Sequence, residues 1–418
     1  MSKTLVLIDG HALAYRQYFA LERTAMKNSA NQPTWAVYGF FKSVFDLLTR
    51  IKPDFIAVAF DVSRHTLHRT EMYSEYKAQR EAMPDTLHSQ IGLIIEGLQA
   101  FDIPIYTKEG FEADDVIGTI SKIATENGDK TYILTGDQDS FQLVDREGNV
   151  TILIPSKGEL IEYNWDKVYE KLGVYPNQVI DYKGLRGDTS DNIPGIKGIG
   201  EKTAQKLLSR YPNLEALLAD CENIPENAVR EKICTQKEIA ILSKELATII
   251  RNVELDVDVM KASVTLPDIQ KVSDFLRKMQ FYTFIKNIDK ILSSFSGENV
   301  SESENLSLFK QDTVNAENVQ QSLFTQAIKE TVEASDFEYT VVNADNVKTV
   351  VFELEKAKHI SLRLDIRDEK LNGIAISNGE TYYFGDNFLE ILKPIINSGS
   401  IKKLYYDAKT DFHIFKNN

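Results

Sequence analysis

The chain has 418 residues, 43% of them hydrophobic, two cysteines and a formal net charge of −14. That length exceeds one domain by the usual prior, and no apolar run approaches the length that would carry a helix across a membrane. The charge by itself argues against a polyanion partner, but half of it lies in residues 291–338, where nine acidic residues face only Lys310 and Lys329.

Met1, Ser2 and Lys3 lead straight into a strand pattern, so no N-terminal signal is expected. Residues 3–9 (KTLVLID) are an apolar run ending in Asp9. Residues 54–61 (DFIAVAFD) end likewise in Asp61, and residues 103–107 and 131–135 are two more such runs. Helical spacing fills the gaps, as in residues 36–50. Apolar strands alternating with helices predict an α/β fold with a parallel sheet covered on both faces. Ligands of such sheets bind beyond the carboxyl ends of the strands, where Asp9, Asp61 and Asp137 fall. Glu112, Asp114 and Asp115 open a helix; Asp137 and Asp139 close a strand. Glu112 and Asp115 are expected to share a helix face, and Asp137 and Asp139 one side of extended backbone. Taken singly, each Asp also reads as a turn residue or helix cap. Together they repel, and with no cationic partner evident within the cluster, hard divalent cations with oxygen ligands are the expected compensation. His11 reads as a loop residue.

Residues 62–84 lack an apolar stripe. They carry Arg64, His65, His68, Arg69, Lys77 and Arg80, with Tyr73 and Tyr76 between them. One reading is a solvated helical surface. The other is a basic, aromatic-bearing arch that holds single-stranded nucleic acid by phosphate contacts and stacking. Further on, Asp188 and Asp191 precede Gly195-Ile-Lys197-Gly198-Ile-Gly200, and a helix is predicted from near Glu201 through Lys202 and Thr203. Residues 183–210 hold six basic against three acidic residues. Glycines that free backbone N–H groups, next to a helix N-terminus, suit phosphate. No strand precedes them, so a dinucleotide site is not expected; a helix–hairpin–helix clamp that grips a DNA backbone without reading bases fits better. Cys221 and Cys234 make neither a disulfide framework nor a metal-ligand spacing, so reduced thiols in a cytosol are expected.

LVLIDGHALAYR, AVYGF, VAFD, YKAQR, EADDVIG, TGDQDSFQLV and GDTSDNIPGIKGIGEKTAQKLL occur in this order. They resemble the bacterial 5′-nuclease family, in the form found at the N-terminus of DNA polymerase I, over roughly residues 1–290. The resemblance implies a parallel-sheet, PIN-like nuclease domain with a helical arch and a helix–three-turn–helix subdomain. It implies metal-site carboxylates at Asp9, Asp61, Glu112, Asp114, Asp115, Asp137, Asp139, Asp188 and Asp191. It also implies arch residues Tyr76, Lys77 and Arg80, a phosphate contact at Arg16, and a clamp over Gly195–Thr203 (Gly195, Lys197, Gly198, Gly200, Lys202, Thr203). The implied cofactors are two divalent ions, Mg2+ with Mn2+ substituting, and K+ in the clamp. The implied activity is 5′-3′ exonuclease and flap endonuclease cleavage of DNA 5′ ends, flaps and RNA primers by a cytoplasmic, nucleoid-associated monomer in replication and repair.

The expected organisation is a nuclease core over 1–175 with its arch near 62–84, a helical DNA-binding subdomain over 176–290, an acidic linker over 291–336, and a tail over 337–418. The tail resembles the start of a proofreading 3′-5′ exonuclease domain of the RNase H-like class. It places Asp365 and Arg367 where that family has a paired Asp-x-Glu, so a two-metal site is not expected there. Asp411 reads as surface charge, the domain is expected to be incomplete, and no polymerase domain is expected within these residues. Two other readings remain at this stage, a non-catalytic DNA-junction binder and a PIN-like ribonuclease; the full carboxylate set argues against the first, the clamp and arch against the second.

Overall fold

The computed structural model describes residues 2–62, 68–80, 82–156, 159–255, 259–296, 339–343, 346–357, 359–367, 370–378, 380–385, 389–397 and 401–405. Arg64, His65, Asp411 and most of the expected linker lie outside the described residues. The chain forms two compact units, Met1–Ala316 and Glu317–Asn418.

In the first unit β1 (Thr4–Asp9), β2 (Phe55–Ala59), β3 (Ile105–Tyr106), β4 (Lys130–Leu134), β5 (Val150–Ser156) and β6 (Glu159–Tyr163) form one sheet in the order β3-β2-β1-β4-β5-β6. All neighbours pair in parallel except the β5–β6 hairpin. The expected runs at 3–9, 54–61, 103–107 and 131–135 are therefore strands, with trimmed ends. Pro104 has no N–H to give a ladder, and β3 begins after it. The β5–β6 hairpin was not anticipated.

Helices α1 (Gly10–Leu21), α2 (Trp35–Ile51), α3 (His68–Met72), α4 (Asp85–Ala100) and α5 (Ala113–Glu126) interleave with these strands. Beyond the sheet come α6 (Trp165–Leu172), α7 (Val179–Arg186), α8 (Glu201–Leu208), α9 (Leu214–Ala219), α10 (Asn227–Thr235), α11 (Lys237–Ala247) and α12 (Ile269–Met279). Strands buried on both faces need apolar residues at successive positions, which is why Leu5, Val6, Leu7 and Ile8 are all inside.

Val6, Ile8, Ile56 and Val58 pack with α2, α4 and α12 on one face. Leu5, Leu7 and Ile133 pack with α5 on the other, and that cluster continues without a break into Leu185, Ile196, Ile199, Leu207 and Leu217. Residues 269–290, expected in the helical subdomain, and 291–295, expected in the linker, return to the first face, where Val272, Phe275, Leu276 and Leu292 are buried. Ser263 bridges Phe55 at the start of that return. Cys221 and Cys234 are joined in a disulfide, Cα–Cα 5.6 Å, contrary to the expectation of two reduced thiols; the turn between α9 and α10 brings them together.

The second unit has β7 (Tyr339–Val341), β8 (His359–Arg367), β9 (Lys370–Ser377), β10 (Thr381–Gly385) and β11 (Lys402–Tyr405) in the order β11-β8-β9-β10-β7. Asp365 and Arg367 both fall on β8. Among the described residues no helix is long and apolar enough to cross a membrane.

Candidate metal and nucleic-acid site

The chain runs from β1 outward to β2 and β3, then returns beside β1 at β4. This reversal is the switch point where open parallel sheets bind ligands. Asp9, the last residue of β1, caps α1: Oδ1 accepts from Ala12 N at 2.9 Å and Oδ2 from Thr135 Oγ1 at 3.1 Å. Asp61 lies beyond β2 and accepts from Ala113 N at 2.7 Å, which ties it to the start of α5. His11 lies in α1, not a loop, with Nδ1 3.3 Å from Asp61 Oδ2. Glu112 is the N-cap of α5 and Asp114 sits in its first turn. Asp137 caps the 3-10 turn Gln138–Leu143 and accepts from Asp139 N at 2.9 Å. Capping and clustering are thus not alternatives; Asp9 and Asp137 do both.

Asp9, Asp61, Glu112, Asp114 and Asp137 line one cavity of about 730 Å3, with Tyr76, Lys77 and Arg80. A second cavity, about 620 Å3, is lined by Asp137, Asp139, Asp188, Lys183 and Arg16. Asp137 borders both. Asp191 sits beneath the arch residues, where its carboxylate meets Arg80 and accepts from Tyr76 Oη at 3.3 Å. Neither Asp115 nor Asp191 lines either cavity.

The expectation of an acidic cluster without cations of its own is corrected here. Lys77 Nζ lies 2.6 Å from Glu112 and 3.5 Å from Asp191. Lys183 bridges Asp139 and Asp188, the latter at 2.6 Å. Arg69, expected either on a solvated surface or in a nucleic-acid arch, is instead buried and bonded to Asp115 and Glu112. Tyr76 is buried too, so its ring is not a surface for stacking. Lys77 adopts φ +54°, a conformation uncommon for a residue with a side chain, and its N–H donates to Asp191 O at 2.9 Å. Burial opposes ionisation of Asp188, but Lys183 outweighs it and holds that carboxyl well below its usual range.

The carboxylates still outnumber these cations inside the first cavity. Burial first, then the charge of Asp61, pushes Asp9 up to about 7. Burial, then Asp9, Asp137 and Glu112, raises Asp114 well above its usual range. Asp114 Oδ1 is buried and has no hydrogen-bond partner among the described residues. An orphaned carboxylate oxygen among four other carboxylates is the donor set that a hard divalent cation takes.

Both raised carboxyls hold protons in the folded state that the unfolded chain would release near its ordinary value of 3.8. Their contribution to stability is complete in acid and is lost as pH rises through their folded values. Without metal, the melting temperature should therefore fall by several degrees between pH 6 and pH 8. Metal ligation needs ionised carboxylates, so the increase in melting temperature on adding Mg2+ should be larger at pH 8. Scanning calorimetry in chelator and in Mg2+ checks this; an increase of the same size at both pH values would contradict it.

The glycine turn lies between α7 and α8. Gly195 has φ +60°, and a Cβ there would meet the backbone of Gly187 at 2.1 Å. Gly198 has φ +85°, and Gly200 caps α8 in extended conformation. Lys197 and Lys202 are exposed and make no ion pair among the described residues; Thr203 is half-buried in α8. Lys183, Arg69 and Thr135 are the site residues that sequence reasoning missed. Lys183 lies four residues before the GDTSDNIPG motif and entered only the count of basic residues over 183–210, and nothing in sequence separates Arg69 from its basic neighbours.

The family model of the 5′-3′ exonuclease N-terminal resolvase-like domain matches residues 4–173, and that of the 5′-3′ exonuclease C-terminal SAM fold matches residues 174–270. DNA polymerase I of Chloroflexus aurantiacus is 41% identical over 301 residues, which is 71% of this chain and 32% of that protein. DNA polymerase I of Bacillus subtilis is 38% identical over 286 residues, 68% of this chain and 32% of that protein. The chain thus spans about a third of the length of these relatives. The flap endonuclease of bacteriophage T5, solved as a pseudo-enzyme–product complex with DNA and metal ions, is 20% identical; the match covers 66% of this chain and all of that one, with a TM-score of 0.50, and shows the shared fold. By its two consecutive domains, its strand-end carboxylates and its glycine turn, this chain belongs through residues 4–270 to the 5′-3′ exonuclease family.

Proposed function

We propose that the chain is a divalent-metal-dependent 5′ nuclease that hydrolyses phosphodiesters at the 5′ ends and flaps of DNA and at RNA primers. The observation that carries this reading is the first cavity: five carboxylates meet at the switch point of the sheet, one with an unpartnered buried oxygen. Asp9, Asp61, Glu112, Asp114 and Asp137 would hold one ion; Asp139, Asp188 and Asp191, with Asp137, would serve a second. Bound there, such ions supply positive charge to the scissile phosphate and acidify the attacking water.

The rest falls to the chain's own side chains. Lys77 and Arg80, on the rim beside the carboxylates, place the phosphate and add charge where it develops. Arg16, in the second cavity, contacts a phosphate on the far side of Asp137. The glycine turn with Lys197 and Lys202 grips the duplex backbone without reading bases, and the same turn would hold K+. Mg2+ is the natural divalent ion and Mn2+ its substitute. In a cell the partners would be replication and repair intermediates in the cytoplasm.

A labelled 5′-flap duplex tests the reading. Cleavage is expected in Mg2+ and absent in excess chelator. Cleavage at full rate in chelator would refute it, as would binding of the duplex with no cleavage under any divalent ion.

A further inference from the structure

Arg69 is nearly sealed from solvent, yet every N–H of its guanidinium has a partner. Nε donates to Leu246 O at 3.0 Å. Nη1 donates to Asp115 Oδ2 at 2.8 Å and to Glu112 Oε2 at 3.3 Å. Nη2 donates to Asp115 Oδ1 at 2.7 Å and to Thr248 O at 2.6 Å. Five donors meet five acceptors, the full capacity of an arginine.

Asp115 is equally spent. Beside the two-pronged bond from Arg69, Oδ1 accepts from Ile250 N at 2.8 Å and Oδ2 from Glu112 N at 3.1 Å. A carboxylate has about four lone-pair directions, and all four are taken. Nothing remains for a cation, and the side chain is fully buried away from both cavities. Its neighbour Asp114, by contrast, has a buried oxygen with no partner.

We propose that Asp115 is an anchor rather than a metal ligand, and that Arg69 and Asp115 together are positioning residues for the metal site. This rests on the nuclease reading above. The pair joins three separate segments: α3 at the base of the arch, the N-terminus of α5, and the stretch 246–250 after α11. It holds Glu112 from two sides, through its backbone N–H and through Oε2. Glu112 therefore faces the cavity in a fixed pose, and the arch base cannot shift without moving it. Partners that orient a ligand in this way typically change metal affinity by about 10–100-fold when removed, without abolishing the site.

Three variants separate anchor from ligand: Asp115→Asn, Arg69→Lys and, for reference, Asp114→Asn. Bound Mn2+ is counted by electron paramagnetic resonance in the absence of DNA, and single-turnover flap cleavage is measured against Mg2+ concentration. Asp115→Asn and Arg69→Lys should bind as many ions as the unmodified protein, but each should need about tenfold more metal for half-saturation. Excess Mg2+ should restore their cleavage to within a few-fold. Asp114→Asn should lose an ion and not be restored. Loss of an ion in Asp115→Asn, or no change in metal requirement for either member of the pair, would overturn the proposal. If Asp115→Asn does not fold, judged by circular dichroism, Arg69→Lys decides alone. If the unmodified protein binds no Mn2+, the nuclease reading fails first and the anchor falls with it.

Discussion

Asp137→Ala should cut single-turnover cleavage of a 5′-flap duplex by about 10³-fold or more, while the affinity for that duplex, measured in chelator, changes little. Asp137 is the one carboxylate among those described that borders both cavities. Its removal would thus weaken both metal positions, and several kcal/mol of charge stabilisation corresponds to several powers of ten in rate. In the proposed function the duplex is gripped elsewhere, by the turn around Gly195–Gly200, so binding has no reason to follow. The variant keeps its backbone donors, and the lost cap on the short 3-10 turn costs on the order of 1 kcal/mol, too little to unfold the domain. Parallel loss of binding and cleavage, with a lowered melting temperature, would mean that Asp137 is structural.

Lys77→Ala and the double variant Lys197→Ala/Lys202→Ala should fail in different ways. Lys77 lies between Glu112 and Asp191 on the cavity rim. Removing a preorganised charge from that position costs on the order of 10²–10³ in turnover, with little effect on affinity. The alanine variant also leaves Glu112 and Asp191 with one cation fewer, so its Mg2+ requirement should not rise. Lys197 and Lys202 are exposed on the glycine turn and its helix. Each is expected to contribute about one unit to the log–log dependence of duplex binding on salt. Their removal should weaken binding alike for all sequences and flatten that slope, with turnover at saturating DNA nearly intact. Binding isotherms over a salt series, beside single-turnover kinetics, decide the matter. Identical profiles for the two variants would end the division between a gripping turn and a reacting rim.

What could be read from sequence follows from where the constraint lies. A strand buried on both faces has to be apolar at every position, so β1, β2 and β4 announce themselves, and the Asp that ends such a run is conspicuous. β5 and β6 form a partly exposed edge hairpin with a mixed pattern, and passed unseen. Counter-ions are chosen by tertiary proximity, so nothing near Arg69 in sequence says that it meets Asp115 across 46 residues, nor that Lys183 reaches Asp139 across 44. The resemblance placed Asp115 among nine like carboxylates; only the hydrogen bonds separate it from Asp114. The return of residues 269–295 to the first face, and the meeting of Cys221 with Cys234, likewise depend on chain paths that no local pattern encodes.

The apolar cluster under the second face of the sheet continues unbroken beneath the glycine turn, through Ile196, Ile199 and Leu207. Dense packing transmits displacement and does not bend freely. The carboxylates and the glycine turn are thus mounted on one rigid block, like the jaw and blade of a single tool. The offset between them is a gauge built into packed side chains, and on the proposed function it would be the same for every DNA sequence.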